Sequence, residues 1–357
     1  MNSPEAQTAR RVDFGHRIMV TRTGGVALRW RVRPLIICAL LGALTVAVTI
    51  WALTRGEYPL TVWEVVAALA NDPDAGFARI VVFEWRLPRV LAAVTFGAAL
   101  GVAGAVFQSV TRNPLASPDI IGFSTGSYTG ALIVMILIGG GYAQVAGGAL
   151  AGGLVVAALV YLLAWRGGIQ GFRLIIVGIA ISAVLGSINV WLMLTARLEV
   201  AMTAAVWGAG TLTAITWAQA GIGSLVVLVL LVGLAAAARG LRQLELGDDA
   251  AAATGVRAEP VRLVVMVIGV ALTATVTAAA GPIAFVALAA PQIARRLARS
   301  PGIALVPAAF TGALLLAGAD LVAQHLLPQS FPVGVVTVIV GGGYLIWLLI
   351  REARRRV

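Results

Sequence analysis

The residue types that carry chemistry are few in this sequence, and they are scattered. Lysine is absent, which removes both the cation of a phosphate-cradling P-loop and the amine of a Schiff base. Cys38 stands alone in an apolar run, and the two histidines lie far apart at 16 and 325. Neither a disulfide framework nor a clustered metal site is on offer, and no nucleophile, base and acid converge as an intramembrane enzyme would need. Catalytic, cofactor and metal residues are therefore assigned to none. What remains is charge at three places. Arg86 and Arg89 flank Pro88, a spacing that builds a rigid pair able to grip a partner's carboxylates or to snorkel to an interface. Glu245, Gly247, Asp248, Asp249 and Gly255 frame an alanine-rich turn with the wording of a short capped helix. It reads as a docking surface for a cytosolic protein or as a plain loop. Asp320 is the third, a structural group pairing with Arg86 or Arg89, or else a coupling carboxylate.

The elements that must position these residues are membrane spans. The chain of 357 residues is 60% apolar and 11% charged, with a mean hydropathy of +0.97, far from soluble composition. A helix needs about 20 apolar residues to cross ~30 Å of hydrocarbon. Ten runs qualify, giving an all-α polytopic membrane protein: Pro34–Leu53, Val90–Val110, Ile120–Gly140, Ala143–Trp165, Leu174–Ala196, Ile222–Ala238, Leu263–Ala280, Ile283–Ala298, Ile303–Ala323 and Val333–Ile350. The eighth is short and interrupted by Pro291. Ala201–Thr216 is broken by Gly and Thr and reads as a short surface or re-entrant helix. Alternation places 21 arginines on the side of both termini and 5 on the other, so the positive-inside rule makes the N- and C-termini cytoplasmic. The pI near 11.3 then reports topology and not a nucleic-acid partner. Residues 1–33 read as a basic cytoplasmic extension, 34–350 as the spanning domain and 351–357 as a cytoplasmic tail. The first apolar run reads as a retained span and not a cleaved signal. Within the spanning domain, 54–89 is an extracytoplasmic loop holding an amphipathic helix at Thr61–Ala70. Residues 239–262 form a cytoplasmic loop, in which a second short helix is expected before Arg262.

Glycine recurs inside the spans, as Gly97-x3-Gly101 with Gly104 and as Gly148-x3-Gly152, spacings that let helix backbones approach closely in lipid. A glycine-lined permeation path is the other reading. Asp320 is the one carboxylate inside an expected span, whereas an ion-driven carrier holds its coupling ion with midplane acids or histidines. Energy for moving a solute is therefore expected from another subunit, and Arg197 reads as an interfacial anchor or an attractor of anions.

Four segments in this order resemble the FecCD family, the permease subunits of ABC importers for iron-siderophores and vitamin B12: EWRLPRVLAAVTFGAALGVAGAVFQSVTRNPLASPDIIGFSTG (84–126), LELGDDAAAATGV (244–256), AGPIAFVALAAPQIARR (280–296) and FPVGVVTVIVGG (331–342). The resemblance runs from about Pro34 to the C-terminus and implies a ten-helix, BtuC-like fold. It implies that Arg86 and Arg89 dock an extracytoplasmic substrate-binding protein, and that Glu245, Gly247, Asp248, Asp249 and Gly255 belong to coupling helices seated in ATPase subunits. Asn113, Pro114 and Leu115, with Gly171 and Phe172, match the inner gate, while Asp320, Pro332 and Gly334 are structural. A third docking arginine of the vitamin B12 permease falls at Gln324, beside His325. The phrases FRLIIVGI (172–179), GDDAAAATGV and DLVAQ (320–324) lie nearest the ferric-enterobactin permeases. They imply uptake of an iron(III)-siderophore of catecholate type across the inner membrane, with haem or cobalamin as alternative cargo. The implied partners are a second, related permease in a heterodimer, two ATPases and the binding protein. A self-sufficient secondary carrier is the reading from another class.

Overall fold

The computed structural model describes residues 18–23, 26–72, 75–165 and 171–354. Most of the expected N-terminal extension, Arg166 and the last residues of the expected tail lie outside the described residues. The first element departs from the all-α expectation. Strands β1 (Ile18–Thr23) and β2 (Val26–Arg31) pair antiparallel from Ile18↔Arg31 to Thr23↔Val26. In sequence, Val26, Leu28 and Trp30 alternate with Ala27, Arg29 and Arg31, the period of a strand. Reading those arginines only for topology hides this alternation.

From the hairpin the chain enters a helical membrane protein. Its elements are α1 (Val32–Thr54), α2 (Val62–Leu69), α3 (Gly76–Ile80), α4 (Leu87–Thr111), α5 (Phe123–Leu132), α6 (Tyr142–Ala164), α7 (Gly171–Thr195), α8 (Leu198–Gly208), α9 (Trp217–Leu244), α10 (Asp248–Ala253), α11 (Ala258–Ala280), α12 (Val286–Ala298), α13 (Leu305–Leu321) and α14 (Val333–Ala353). Wider π-helical turns join α3 to α4 at Val81–Arg86 and extend α5 over Ile133–Ile138 and α13 over Val322–Leu326. The first has a cause in sequence: Pro88 has no N–H to donate to the preceding turn, and the Leu87 N–H reaches back to the Val82 carbonyl.

Helices stand at all ten expected places, and among the described residues seven are long and apolar enough to cross a membrane. The other three are Phe123–Ile138, α12 and Val333–Leu348. At 13 residues and about 1.5 Å per residue, α12 spans only about 20 Å. Two boundaries need correction. A capping box between Thr216 and Gln219 starts α9 before the expected Ile222, and α9 runs on to Leu244. The second short helix expected before Arg262 is absent, because α11 already begins at Ala258. Residues 201–216 resolve into most of α8 followed by a non-helical link.

The centre of the bundle is α4, whose buried residues run from Pro88 to Thr111 on all its sides. It packs against α9, α11, α12 and α13. The contact with α13 is made through glycine: a Cβ on Gly97 would stand 2.9 Å from Ala313 Cα, and one on Gly101 would be 3.2 Å from Gly312 Cα and collide with the Ala308 carbonyl. Gly104 meets the Ala287 backbone of α12 in the same way. Gly130 and Gly152 repeat the arrangement between α5 and α6, where an added Cβ would be 3.1 Å from Gly152 Cα. Helices gain little from burying apolar surface against each other in lipid, so this close approach supplies the packing. By contrast α1, α7 and α9 leave most of their apolar side chains exposed, Leu194 at 80% for example.

The packing argument separates glycines that contact backbone from those that do not. Gly101→Leu should lower the melting temperature of the detergent-solubilised protein by several degrees, since overpacking costs about 1–3 kcal/mol or more. Gly147→Ala, where nothing lies within 4 Å of an added Cβ, should leave it unchanged or slightly raised. Equal effects of the two changes would remove the argument.

Candidate functional site

The charged groups sort to the two ends of the bundle. At the end that carries α2, Arg86 and Arg89 do not act as a pair. Arg86 donates from Nη1 to the Leu53 carbonyl at 2.6 Å and from Nη2 to the Tyr58 carbonyl at 2.5 Å, clamping the loop that follows α1. Arg89 holds Asp320 in a fork, Nε to Oδ2 at 2.8 Å and Nη2 to Oδ1 at 2.7 Å. Asp320 is buried and Arg89 nearly so, so α4 and α13 are locked here by one ion pair. Such a buried pair is expensive to break from one side, by about 3–5 kcal/mol. Gln324 does not project freely: its amide donates to the Phe331 carbonyl at 3.0 Å and to Thr213 Oγ1 at 3.4 Å. Gly334 sits against the link after α8, its N–H donating to the Gly210 carbonyl at 3.1 Å, and Pro332 accepts from the Val335 N–H at 3.1 Å. An aromatic row, Tyr58, Phe77 and Trp85, runs beside Arg86 with centroid separations of 5.4 and 5.9 Å.

At the opposite end, α10 is held between Gly247 and Gly255, whose φ values of +117° and +82° are readily adopted by glycine. Asp248 Oδ1 accepts from Arg112 Nη2 and from Arg262 Nη2, both at 2.9 Å. Arg262 is buried and also reaches Glu259 at 2.5 Å. These contacts, Arg262 first, hold the Asp248 carboxyl below the usual carboxylate range. Glu245 accepts the Ile303 N–H on both oxygens, at 2.8 and 3.0 Å, which ties the α9 terminus to the α12–α13 link. Asp249 is exposed. Neither Arg112 nor Arg262 stands out in sequence as a partner for α10, because both meet it only through the fold.

The expected gate residues share this end. Asn113, Pro114 and Leu115 follow Arg112, which closes α4 with a φ of +51°. Asn113 Oδ1 accepts the Leu115 N–H at 2.9 Å, and the Pro114 carbonyl accepts from Gln292 Nε2 at 3.1 Å. Gln292 also donates to Gln108 Oε1 at 2.6 Å, and Gln108 donates to the Leu288 carbonyl at 3.0 Å. The segment is thus stitched to α12 by buried amides. Gly171 abuts the last turn of α4, where an added Cβ would lie 2.8 Å from Thr111 Cα. Phe172 is 75% exposed and Leu115 is 42% exposed, so each leaves an apolar side chain free beside the amide-stitched segment.

One polar residue escapes a search confined to helical spans. Asp119, in the link between α4 and α5, accepts from Ser124 Oγ at 2.7 Å and from the Phe285 N–H. Its Oδ2 is buried with no hydrogen-bond partner among the described residues. Phe285 itself has a φ of +68°, unusual for a bulky residue. The one available signal was the carboxylate in SPDIIGF, flanked by Pro118 and Gly122. Burial pushes its carboxyl up to about 6, against hydrogen bonds from Ser124 and Phe285 that pull it down. A carboxyl raised in the folded state favours folding at low pH, and that contribution is lost as pH rises through about 6. Asp119→Asn should therefore stabilise the protein at pH 7.5 by roughly 3 kcal/mol or less, with the gain shrinking towards pH 5. A pH-independent difference between the two melting curves would contradict this assignment.

Comparisons with known proteins show the family. The model of the FecCD transport family matches residues 43–351. The ferric enterobactin transport system permease protein FepG of Escherichia coli (strain K12) is 50% identical over 325 residues, 91% of this chain and 98% of its own. The iron(3+)-hydroxamate import system permease protein FhuG of Bacillus subtilis (strain 168) is 34% identical, over 89% of this chain and 98% of its own. Among solved structures, an inward-facing metal-chelate type ABC transporter superposes with a TM-score of 0.77 at 26% identity, over 89% of this chain and 99% of that one. The chain belongs to the FecCD transport family: it is the membrane-spanning permease subunit of an ABC importer, and not an enzyme.

Proposed function

We propose that this permease carries an iron(III)-siderophore of the catecholate, enterobactin-like type across the bacterial inner membrane, powered by ATP hydrolysis in two partner subunits. The substrate reading is supported by the 50% identity to a ferric enterobactin permease over nearly its whole length. On this reading the chain crosses the membrane ten times, with both termini, α10 and the 113–115 segment on the cytoplasmic side and α2, Arg86 and Arg89 outside. A related permease completes a heterodimer around the path, and a binding protein delivers the chelate. Haem or cobalamin is the alternative cargo. A self-sufficient carrier is disfavoured because Asp320, the carboxylate in an expected span, is already neutralised by Arg89.

The mechanism is alternating access without covalent chemistry, and one contact carries it. Asp248 of α10 grips Arg112, the residue directly before Asn113, Pro114 and Leu115. ATPase subunits that pull on α10 therefore pull on the gate segment, while Arg262 keeps α10 attached to α11. The exposed Arg112–Asp248 pair is worth about 0–1 kcal/mol, weak enough to be made and broken in each cycle. The substrate path needs no strong site, because tight binding would slow release.

Reconstituted with its partner subunits, the protein should take up ferric catecholate in an ATP-dependent way, and the chain alone in liposomes should not. Uptake of ferric catecholate by the isolated chain under an ion gradient would end the proposal. Arg112→Glu should lower uptake about tenfold while ATP hydrolysis continues, and Arg112→Lys, which keeps a positive charge opposite Asp248, should retain most of it. Docking is separable from gating. Arg86→Glu should reduce uptake at limiting binding protein and recover at saturating binding protein, because a rim charge acts chiefly on encounter. A loss that persists at saturation assigns Arg86 to holding the loop after α1.

A further inference from the structure

We infer that a cavity beside α10 receives carboxylate side chains of the ATP-hydrolysing subunit; this rests on the coupling reading above. The cavity, about 510 Å³, lies between the end of α4, the end of α9, the second half of α12 and the approach to α13. Arg112, Arg242, Glu245, Leu246 and Arg295 are among the residues that line it. Its charges are unequal in their satisfaction. Arg112 is held by Asp248 and by the Leu244 carbonyl at 3.1 Å, and Glu245 is occupied by the Ile303 N–H. Arg242 and Arg295 form no ion pair among the described residues, and both are exposed. Ser109 Oγ, also in the wall, is buried without a partner among the described residues.

Open to water, two unpaired guanidinium groups are well solvated. A subunit seated on α10 closes the mouth and strips that water. Uncompensated burial of charge is costly, whereas carboxylates supplied by the covering surface convert it into charge-assisted, forked hydrogen bonds. Leu246, 76% exposed at the rim, offers the apolar contact that accompanies such a charge cluster at protein interfaces. The position favours a protein carboxylate over a phospholipid phosphate. Leu246 of the lining directly precedes Gly247 and α10, and the lining takes nothing from the exposed apolar faces of α1 and α7.

The test uses the permease pair in nanodiscs and the purified ATPase subunit. Arg242→Ala with Arg295→Ala should weaken ATPase binding about tenfold and flatten its salt dependence, with no change in melting temperature. A photo-crosslinker at position 242 should capture a peptide of the ATPase bearing Asp or Glu, and reversing that residue to Lys should restore binding to Arg242→Glu. A helix-breaking Ala252→Pro change, which removes an N–H from inside α10, tests the coupling reading by itself. If it abolishes ATPase binding while the arginine double variant binds normally, the cavity proposal is wrong and the coupling reading stands. If neither change matters, both fall. If the arginine changes spare ATPase binding but reduce retention of anionic phospholipid, the cavity is a headgroup site and the proposal is overturned.

Discussion

Backbone-to-backbone contact along α4 is the interaction on which the rest of this molecule depends. In water, a helix is held to its neighbours by the apolar area it buries; in lipid that driving force is nearly absent, and packing must come from proximity. Gly97, Gly101 and Gly104 supply it, bringing α13 and α12 to the α4 backbone itself. A side chain on any of them would push the neighbours outward. Because α4 has neighbours on all sides, it is the least movable helix, and whatever moves must be attached at its ends or belong to the less buried helices around it.

The two ends of this spine are built differently, and the magnitudes show how. Arg89 meets Asp320 through a fork in a nearly dry setting, a contact whose rupture costs several kcal/mol. Arg112 meets Asp248 with both side chains half exposed, a contact in the range of thermal energy. One end is a lock and the other a hinge. Arg262, buried and bonded to the same carboxylate, keeps α10 on α11 while the Arg112 contact opens. Motion applied to α10 is therefore directed into the segment after Arg112 and not dissipated by detaching α10 altogether. An ion pair shared between a buried and an exposed arginine is a compact way to combine attachment with freedom.

Much of this was legible in the residue order, and the exceptions have physical causes. Hydropathy located the seven helices that, among the described residues, are long and apolar enough to cross, because the solvent requires about 20 apolar residues from each. The GxxxG-type spacings marked the α4 and α5–α6 contacts, since one helical face repeats every three to four residues. Gly247, Asp248 and Gly255 announced α10. Two features stayed hidden. The hairpin at Ile18–Arg31 alternates with period two in a stretch whose arginines served another argument. The commitment of Arg86 depends on carbonyls brought up from positions 53 and 58, which no local spacing encodes, whereas the Arg89–Asp320 pair is one of the two pairings expected of Asp320. The eighth span is short, as expected, but α12 owes this to the non-helical run before Val286 and not to Pro291, which the helix accommodates.

Asp119 shows why scanning spanning helices for charge is an incomplete way to read a transporter. Two short helices, α5 and α12, each follow a residue with left-handed backbone, Gly122 and Phe285. Their first residues come together at this carboxylate, which takes a hydroxyl from one and an N–H from the other. Helix starts present unsatisfied N–H groups and partial positive charge, but here they do not outweigh burial, and the carboxyl is held up at about 6. Held by a hydroxyl and an N–H, the group makes no ion pair among the described residues. The 113–115 segment is thus fastened to α12 by neutral amides at Gln108 and Gln292, whereas its neighbour Arg112 makes a half-exposed, readily broken charge contact with α10.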